Sequence, residues 1–414
     1  MKRLLRVALA LTAGLLLIGT TPANAAVTQV VDDDGLASLT NCNATTPTSN
    51  TIQGGVNAAA PGDTVKVCPG TYTENVTVNK ALILNGAKAG VNGTRVVGAN
   101  ESVVHALDSN QPIFMLTADG ITLNGFLVEG NTNNAGIQTS PTFSGYRILN
   151  NIVRDNVFGI YLNSAGATTT LVRRNLLQNN NANFGVASAS GNGIYSDQGT
   201  VGVSIQANHF EGHKNGAITF ADANTLQESI LIQNNRSLND NNFVALFNVQ
   251  NAQIVANRTN DTIDSDDFSS TIFVGGDSAG ILIQRNVLMN PGFAGIAVRD
   301  VLGTGGGNVD VLGNTVTGAE GSGIDVTATD FAAVSARNNT LNNNGVGAAV
   351  PANEPRDGIY FGSLTKGNQI RGNTASGNGN LDCEDDSSGS GTAGTANTWV
   401  GNNGVTDDPN GICP

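Results

Sequence analysis

Hydrophobic and polar residues alternate in short runs along this 414-residue chain, and one spacing of them recurs. In residues 279–298, the apolar residues Ile281 and Ile283 are followed three positions later by Asn286 and then by Leu288. Similar spacings, some of them weaker, surround nine asparagines in all: Asn151, Asn175, Asn208, Asn235, Asn257, Asn286, Asn314, Asn339 and Asn373. Neighbouring asparagines are 22 to 34 residues apart, so the chain is an array of repeats with a period near 28.

The alternation within each repeat predicts β-strands, because a strand turns successive side chains to opposite faces. Ile281 and Ile283 would share one face, and Leu282 and Gln284 the other. Three short strands per repeat, stacked at about 4.8 Å, would form a parallel coil around one continuous core. We therefore predict an all-β solenoid, a single parallel β-helix of about 11 or 12 rungs with a cap at each end.

The repeated asparagine has a mechanical interpretation. Asparagine tolerates a left-handed turn, and its amide can donate to and accept from the equivalent amide one rung away. Asparagine is also simply common in turns, but that does not explain its fixed offset from the apolar residues. We predict that the nine asparagines form a ladder, with Phe126 at the equivalent position of an early rung.

The start of the chain has the features of a secretory signal. Basic Lys2, Arg3 and Arg6 precede a short apolar run that ends in small residues near Ala25. No second run of about 20 apolar residues follows, so we expect a secreted protein without a membrane span. The predicted division is a signal peptide at 1–25, an N-terminal cap at 26–75, a β-helix at 76–381 and a C-terminal cap at 382–414.

Charge and composition narrow the choice of partner. Without the three basic residues of the signal, 17 basic residues stand against 33 acidic ones, a net charge of −16. An acidic surface disfavours nucleic acid as a partner. The 52 glycines, with only 13% charged residues, fit a turn-rich solenoid, which we expect to be a monomer.

Four cysteines in a secreted chain suggest two disulfides. Cys42 and Cys68 lie near one end, and Cys383 and Cys413 near the other. Pairing within each end is the simplest of the three connectivities. A short amphipathic helix from Thr51 would close the N-terminal end of the coil.

The N-terminal run, a helix that begins TIQ followed by GDTVKVCPGTYTENVTV, resembles the start of secreted right-handed parallel β-helix proteins of the pectin-lyase-like superfamily. The asparagine repeats extend the match over nearly the whole mature chain. The final segment, 382–413, resembles the closing segment of bacterial secreted members, with Trp399 and the last cysteine pair forming a cap. The resemblance implies a right-handed coil and an association with carbohydrate. It leaves the reaction open, because this fold hosts lyases, hydrolases, epimerases, adhesins and inert scaffolds.

After each asparagine, a strand returns with an apolar residue that usually lies 9 or 10 positions later. Three repeats have longer gaps, of 19, 15 and 20 residues, in NNNANFGVASASGNG, RTNDTIDSDDFSST and NNNGVGAAVPANEPRDG. All three insertions leave the coil at the same corner, so we expect them to overhang one face. Insertions on one face of a solenoid usually mark its binding side.

The outward residues of the returning strands form a row on that face. The candidate substrate-binding residues in it are Tyr161, Tyr195, Phe273, Asp325 and Tyr360. Aromatic rings offer a large contact area to sugar rings, and Tyr161 and Tyr195 would lie on adjacent rungs about 5 Å apart. The alternative is that these rings only cover the sheet beneath the inserted loops. The register of the strand within FVALF is ambiguous.

Candidate catalytic carboxylates lie in the second insertion: Asp264, Asp266 and Asp267. Glycoside cleavage commonly needs two carboxyl groups, about 5 Å apart for retention or roughly 6.5 to 9.5 Å apart for inversion. The alternatives are a solvated acidic loop or a calcium site. The pair Asp266–Asp267 resembles the paired aspartates of β-helix hydrolases, but the Gly-His-Gly and Arg-Ile-Lys motifs of the polygalacturonase family are absent.

Two basic features have weaker functional interpretations. The adjacent pair Arg173 and Arg174 could neutralise an acidic sugar in a lyase. The alternative is that they are ordinary arginines on the surface of a strand. The negative net charge of the protein disfavours a polyanionic substrate unless calcium ions bridge the protein and the substrate. His209 and His213 flank Glu211, but their strand and turn context does not suit the helical spacing of a zinc pair.

Two hypotheses for function remain. The first is an extracellular protein that binds, and could cleave or modify, a neutral or weakly charged polysaccharide or cell-surface glycan on the face from Tyr161 to Tyr360. Such an enzyme would be a polysaccharide lyase or a glycoside hydrolase. The alternative is a non-catalytic structural or adhesive surface protein. Convergent carboxylates in a groove would favour the first, and a smooth convex wall the second.

Overall fold

The structure, a computed structural model, describes residues 26–35, 42, 47–187, 189–221, 225–260, 270–299, 307–327, 334–347, 350 and 354–414. The predicted signal peptide lies outside these residues, as do the catalytic candidates Asp264, Asp266 and Asp267.

The described strands form three parallel sheets. Sheet 1 has 14 strands: Thr28–Val31, Thr64–Val67, Ile83–Asn85, Thr122–Asn124, Arg147–Leu149, Thr170–Arg173, Thr200–Gln206, Gln227–Gln233, Gln250–Val255, Ala279–Gln284, Gly307–Leu312, Val334–Arg337, Gln369–Arg371 and Thr398–Val400. Sheet 2 has 12: Gly70–Thr73, Ser102–His105, Leu127–Glu129, Ile152–Arg154, Leu176–Gln178, His209–Glu211, Arg236–Leu238, Arg258–Asn260, Val287–Met289, Thr315–Thr317, Thr340–Asn342 and Thr374–Ser376. Sheet 3 has 13: Val76–Val78, Phe114–Leu116, Ala135–Thr139, Phe158–Tyr161, Asn192–Ser196, Gly216–Phe220, Val244–Phe247, Ile272–Gly275, Ile296–Arg299, Ile324–Thr327, Ile359–Phe361, Cys383–Asp385 and Asp407–Asp408.

The chain visits the three sheets in turn, and each strand pairs with the strand one rung away. Crossovers between parallel strands are almost always right-handed, so this connectivity is a right-handed parallel β-helix. Ile281 and Ile283 are buried while Leu282 and Gln284 are partly exposed, as the alternation predicts. The inward residues form one core along the coil, and the predicted fold is confirmed.

The turn between sheets 1 and 2, which we name the ladder turn, contains the asparagine ladder. The side-chain amide of Asn286 donates to Oδ1 of Asn314 at 3.0 Å and to the carbonyl of Ile254 at 2.9 Å. Its own Oδ1 accepts the backbone N–H and the side-chain amide of Asn257, both at 2.9 Å. The ladder runs from Asn151 through all nine asparagines and one rung further, to Asn402.

One detail of the predicted turn is wrong. The ladder turn is two residues long, and the left-handed residue is the one before the asparagine rather than the asparagine itself. Gly313 and Asn338 occupy this position with φ of 63° and 54°, as do the less tolerant Arg174 and Arg285 with φ of 57° and 54°. The ladder asparagine itself keeps ordinary backbone angles. Its contribution to the turn is the side-chain hydrogen bond to the asparagine of the next rung.

A second ladder lies five residues after the first, at the turn between sheets 2 and 3, which we name the insertion turn. Its members are Asn131, Asn156, Asn180, His213 and Asp240, then Asn344 and Asn378, and the side chain of Asn378 donates to Asp382. Both His213 and Asp240 are fully buried, and His213 Nδ1 lies 2.6 Å from Asp240 Oδ1. The sequence pattern did not predict this ladder, because Ala319 and Pro291 interrupt it.

Each end of the coil is covered. The helix Ile52–Ala58, capped by Thr51, buries Ile52 and Val56 against the first rungs, and Cys42 is bonded to Cys68. At the other end, Cys383 is bonded to Cys413.

Trp399 is buried at the C-terminal end and donates from Nε1 to Asp385 Oδ2 at 2.7 Å. A short 3₁₀ helix, Thr392–Gly394, precedes its strand. The strands Cys383–Asp385 and Thr398–Val400 continue the sheets, so the coil extends into the segment predicted as a cap. In the described residues no helix is long and apolar enough to cross a bilayer.

Candidate functional site

The outer face of sheet 3 presents one row of side chains in register, one from each rung. In order along the coil they are Thr77, Met115, Gln138, Tyr161, Tyr195, Thr219, Ala245, Phe273, Ala297, Asp325, Tyr360, Glu384 and Asp408. The five predicted substrate-binding residues all lie in this row. Ala245 is the member that the ambiguous register left unplaced. The row also continues past its predicted end at Tyr360, to Glu384 and Asp408.

The part of the row that follows Thr77, Met115 and Gln138 is aromatic. The rings of Tyr161 and Tyr195 are 6.0 Å apart at 39°, and Phe158 packs edge-on against Tyr161 at 5.3 Å. The Tyr161 hydroxyl donates to Asp197 Oδ1 at 2.5 Å. Burial and the neighbouring Asp197 raise the pKa of both tyrosines, that of Tyr195 to about 12. The two rings therefore form a fixed, neutral and partly exposed platform.

The middle of the row is closed. Phe273 is only 5% exposed and packs with Ala245, Phe293, Ala297 and Val350 in a second apolar cluster outside the coil. Val350 belongs to the third insertion, which covers the sheet here. Phe273 does not offer a free ring face, so in this part the rings cover the sheet, which is the alternative interpretation.

Asp325 is also buried, with an exposed fraction of 1%. Its carboxylate accepts from Arg299 Nε at 3.2 Å, and Arg299 also donates to Glu354 Oε2 at 3.1 Å. Glu354 lies in the third insertion. Arg299 therefore joins that loop to sheet 3, and Asp325 stabilises the arrangement instead of facing solvent.

Beyond Asp325 the row opens into a depression of about 390 Å³. Its polar lining includes Glu354, Asp357, Tyr360, Asn380, Glu384 and Asp386. Tyr360 donates from its hydroxyl to Asp386 Oδ2 at 2.8 Å. The Asn380 side chain donates to Asp357 Oδ1 at 3.1 Å and to Glu384 Oε2 at 3.0 Å, which brings these two carboxyl groups together. We name this group the carboxyl site.

The two central carboxyl groups differ in their surroundings. Asp357 is fully buried and accepts the backbone N–H of Leu381 at 3.0 Å; burial raises its pKa, and hydrogen bonds that include one from Glu384 oppose the rise. Burial, the hydrogen bond to Asp357 and its charge raise the pKa of Glu384 to about 8. At neutral pH the partly exposed Glu384 therefore carries a proton, while Asp386 is exposed at its side.

Sequence reasoning identified Tyr360 and Asp325 but missed Asp357, Glu384 and Asp386. A signal was present, because Cys383 takes the inward position that Ile359 holds one rung earlier. That register places Glu384 in the outward row. The prediction treats residues 382–414 only as a cap, so Glu384 and Asp386 are not among its site candidates.

Two of the three insertions contact the coil through described residues. In the first, Asn183 donates to the carbonyl of Thr132 at 2.5 Å, so the loop leans over earlier rungs. In the third, Val350 and Glu354 contact the sheet 3 side of the coil, as described above. The second insertion lies largely outside the described residues.

The remaining candidates are separated from the carboxyl site. Arg173 and Arg174 are exposed near the ladder turn. His209 and Glu211 face outward from sheet 2, while His213 is buried in the second ladder. Within the described part of the chain, no group of three or more His, Cys, Asp or Glu side chains is placed to hold a metal ion.

Known structures share the architecture at low sequence identity. The catalytic unit of the thermostable GH87 alpha-1,3-glucanase from Streptomyces thermodiastaticus strain HF3-3 is 16% identical, with a TM-score of 0.55 over 86% of this chain and 66% of that one. The chain thus spans slightly less than two thirds of that catalytic unit. The Azotobacter vinelandii mannuronan C-5 epimerase AlgE6 A-module is 15% identical, with a TM-score of 0.49 over 86% of this chain and 92% of that one.

Pectate lyase Pel9A is 15% identical, with a TM-score of 0.42 over 76% of this chain and 79% of that one. No protein-family model matches the chain, and no curated protein sequence does. Likeness at this level concerns the fold. The chain is a right-handed parallel β-helix, the fold that its resemblance to the pectin-lyase-like superfamily implies.

Proposed function

We propose that this is a secreted protein that binds a polysaccharide along the outer face of sheet 3 and hydrolyses its glycosidic bonds at the carboxyl site. Glu384 is the proposed general acid. The observation that carries the proposal is the open depression in which Glu384, with a pKa of about 8, meets a second carboxyl group beside Tyr360. A carboxyl group that holds its proton at neutral pH is what protonation of a leaving glycosidic oxygen needs.

The neighbouring groups supply the other requirements of glycoside cleavage. A second, ionised carboxylate must act as nucleophile or as base toward water. Asp386 is the proposed candidate, because it is exposed in the same depression and accepts from the Tyr360 hydroxyl. Asp357 has a positioning role, since its buried carboxyl group keeps the proton on Glu384. The aspartates Asp264, Asp266 and Asp267 remain alternative candidates from the sequence.

Binding would extend from the carboxyl site toward the aromatic platform. Tyr161 and Tyr195 offer partly exposed rings in the same row, and rings of this kind stack on sugars. A glucanase with the same fold, at 16% identity, is compatible with a neutral glycan as substrate. The acidic balance of the chain also favours a neutral glycan at this face. Secretion is supported by the two disulfides and by the signal-like start.

A cleavage screen tests the proposal. The full mature protein is incubated with neutral glucans, xylans, galactans and mannans, and reducing ends and binding are measured for the wild type and Glu384→Gln. Glu228→Gln, which removes a partly exposed carboxylate from sheet 1, is the matched control. We expect cleavage of at least one polymer, a loss of roughly 10²- to 10⁴-fold in Glu384→Gln with binding retained, and no loss in the control.

The closed middle of the row favours a second function, a non-catalytic adhesive or structural rod. Phe273 and its neighbours separate the aromatic platform from the carboxyl site. If a glycan binds in the screen and is not cleaved, the adhesive function is the better description. If Glu384→Gln is as active as the wild type, the acid assignment is wrong.

A further inference from the structure

A line of basic side chains follows the ladder turn on the other side of the coil from the carboxyl site. Four arginines and one histidine flank the ladder asparagines of five consecutive rungs: Arg174, His209, Arg236, Arg258 and Arg285. Successive rungs are about 4.8 Å apart, so the line is about 19 Å long. All four arginines are exposed, and none makes an ion pair or a side-chain hydrogen bond within the described residues.

The side chains of these arginines have no visible structural role. Two of the arginines also have an unfavourable backbone conformation. Arg174 and Arg285 occupy the left-handed position of the ladder turn, where Gly313, Gly372 and Asn338 satisfy the same geometry on other rungs. A long side chain at this backbone conformation is less stable than glycine or asparagine. A strained residue whose side chain forms no ion pair or hydrogen bond within the described residues points to a role in binding.

The middle of the line, formed by His209, Arg236 and Arg258, lines a groove. Two depressions of about 540 and 410 Å³ over sheet 2 share His209 and Arg236, and together they form one trough parallel to the coil axis. Asn92 and Thr94 line one end of the trough, and Met289 lines the other.

The loop that carries Asn92 and Thr94 is firmly held. Gly93 N donates to the carbonyl of Arg174 at 2.8 Å. Arg95 pairs with Glu101 through two bonds of 2.9 and 2.8 Å and donates to the carbonyl of Asn150 at 2.7 Å. The wall of the trough is therefore held by contacts within the protein and does not need a ligand to form.

We propose that this arginine trough is a binding site for a linear anionic polysaccharide, one whose carboxylate or sulfate groups recur along an extended chain. Guanidinium groups recognise both anions through paired hydrogen bonds, and the spacing along the coil lets successive arginines reach successive anionic groups. Asn92, Thr94 and Asn260 supply polar contacts for sugar hydroxyls.

The charges around the trough decide between classes of polyanion. One carboxylate, Glu211, lies within it and accepts from Gln178 at 3.1 Å, and burial lowers the pKa of His209, so that His209 is neutral at pH 7. The chain as a whole is strongly acidic, with a formal net charge of −13. Such a surface repels a densely charged nucleic acid, whereas a polysaccharide with one charge per sugar meets the arginines at lower cost.

The site goes beyond the proposed glycoside cleavage and does not depend on it. It would hold the protein on an acidic glycan while the sheet 3 face remains open. Because the two faces differ, Glu384→Gln should leave binding in the trough unchanged.

Binding of fluorescent oligouronate and of sulfated dextran to the full mature protein tests the site, with neutral dextran and single-stranded DNA as further arms. We expect the two anionic glycans to bind and neutral dextran not to bind, with affinity that falls as salt rises. The double variant Arg236→Gln/Arg258→Gln should weaken binding by about tenfold per arginine. The matched control, Arg147→Gln/Arg371→Gln, removes two exposed arginines outside the trough and should weaken it less than twofold.

Three results would overturn the proposal. One is no binding of either anionic glycan. Another is an equal loss in the control variant, which would mean that overall charge and not the trough sets the affinity. The third is tighter binding of DNA than of both glycans. Melting curves of the variants verify that they are folded, and a preference for uronate or for sulfate identifies the source of the anion.

Discussion

The ladder turn and the insertion turn connect the same rungs but differ in what they allow. At the ladder turn, every connection from Gly125 to Asn402 has two residues, because each asparagine amide must meet the next one at hydrogen-bond distance. At the insertion turn, connections vary in length and the second ladder is interrupted. The constrained turn repeats and stabilises the coil, while the unconstrained turn can carry loops and the carboxyl site.

The largest expected effect comes from breaking the ladder in its middle. Asn286→Leu removes an acceptor from the backbone N–H and side-chain amide of Asn257, and a donor from the carbonyl of Ile254. Each stranded group costs about 1 to 3 kcal/mol, so we expect a loss of several kcal/mol in the free energy of unfolding. Urea denaturation measures it. Asn403→Leu, at an exposed position, is the control, and an equal midpoint in the two variants would contradict the role of the ladder.

The same substitution at the insertion turn should cost less. Asn344 is as buried as Asn286, but Ala319 lies one rung below it and contributes only a backbone N–H, at 3.1 Å, to Asn344 Oδ1. Asn344→Leu therefore strands fewer groups, and we expect a loss of roughly 1 to 3 kcal/mol. Measured in the same urea series, a cost equal to that of Asn286→Leu would show that the two turns are energetically alike.

The carboxyl site makes stability depend on pH. The folded-state pKa of Glu384, about 8, lies above the ordinary value of 4.5, so the folded protein binds more protons than the unfolded chain between these values. Stability from this group is present below pH 4.5 and is lost as pH rises toward 8, and the raised pKa of Asp357 acts in the same direction. Melting temperatures from pH 5 to 9 should fall more for the wild type than for Glu384→Gln. Parallel curves would mean that Glu384 has an ordinary pKa.

The smallest effect has the opposite sign. Arg285→Gly places the most tolerant residue at the left-handed position of the ladder turn, so the folded state gains, while the added freedom of the unfolded chain offsets part of the gain. We expect a protein more stable by up to about 1 kcal/mol that binds anionic glycan less tightly. A destabilised variant would indicate that Arg285 makes a structural contact that its exposure does not reveal.

The ladder turn and the insertion turn also explain what the sequence could predict. Asn286 and its equivalents could be predicted from the sequence. Their amides can bond from rung to rung only if the turn keeps one length, and this fixed length gives each asparagine a constant offset from the flanking apolar residues. The contact between Asp357 and Glu384 does not follow from the repeat pattern, because Asp357 lies in the third insertion and Asn380, which donates to both carboxyl groups, lies one rung further along the coil. Phe273 and Asp325 were placed in the correct row, but their burial depends on Val350 and Arg299, which lie far from them in sequence.

Titration of the Glu384 carboxyl group tests the proposed function most directly. In protein with ¹³C-labelled glutamate side-chain carboxyl groups, the Glu384 resonance is assigned as the one that Glu384→Gln removes. The account predicts a midpoint near pH 8 that falls in Asp357→Asn, because that variant removes the neighbouring negative charge. A midpoint near the ordinary 4.5, unchanged by Asp357→Asn, would contradict a site that keeps a protonated acid at neutral pH.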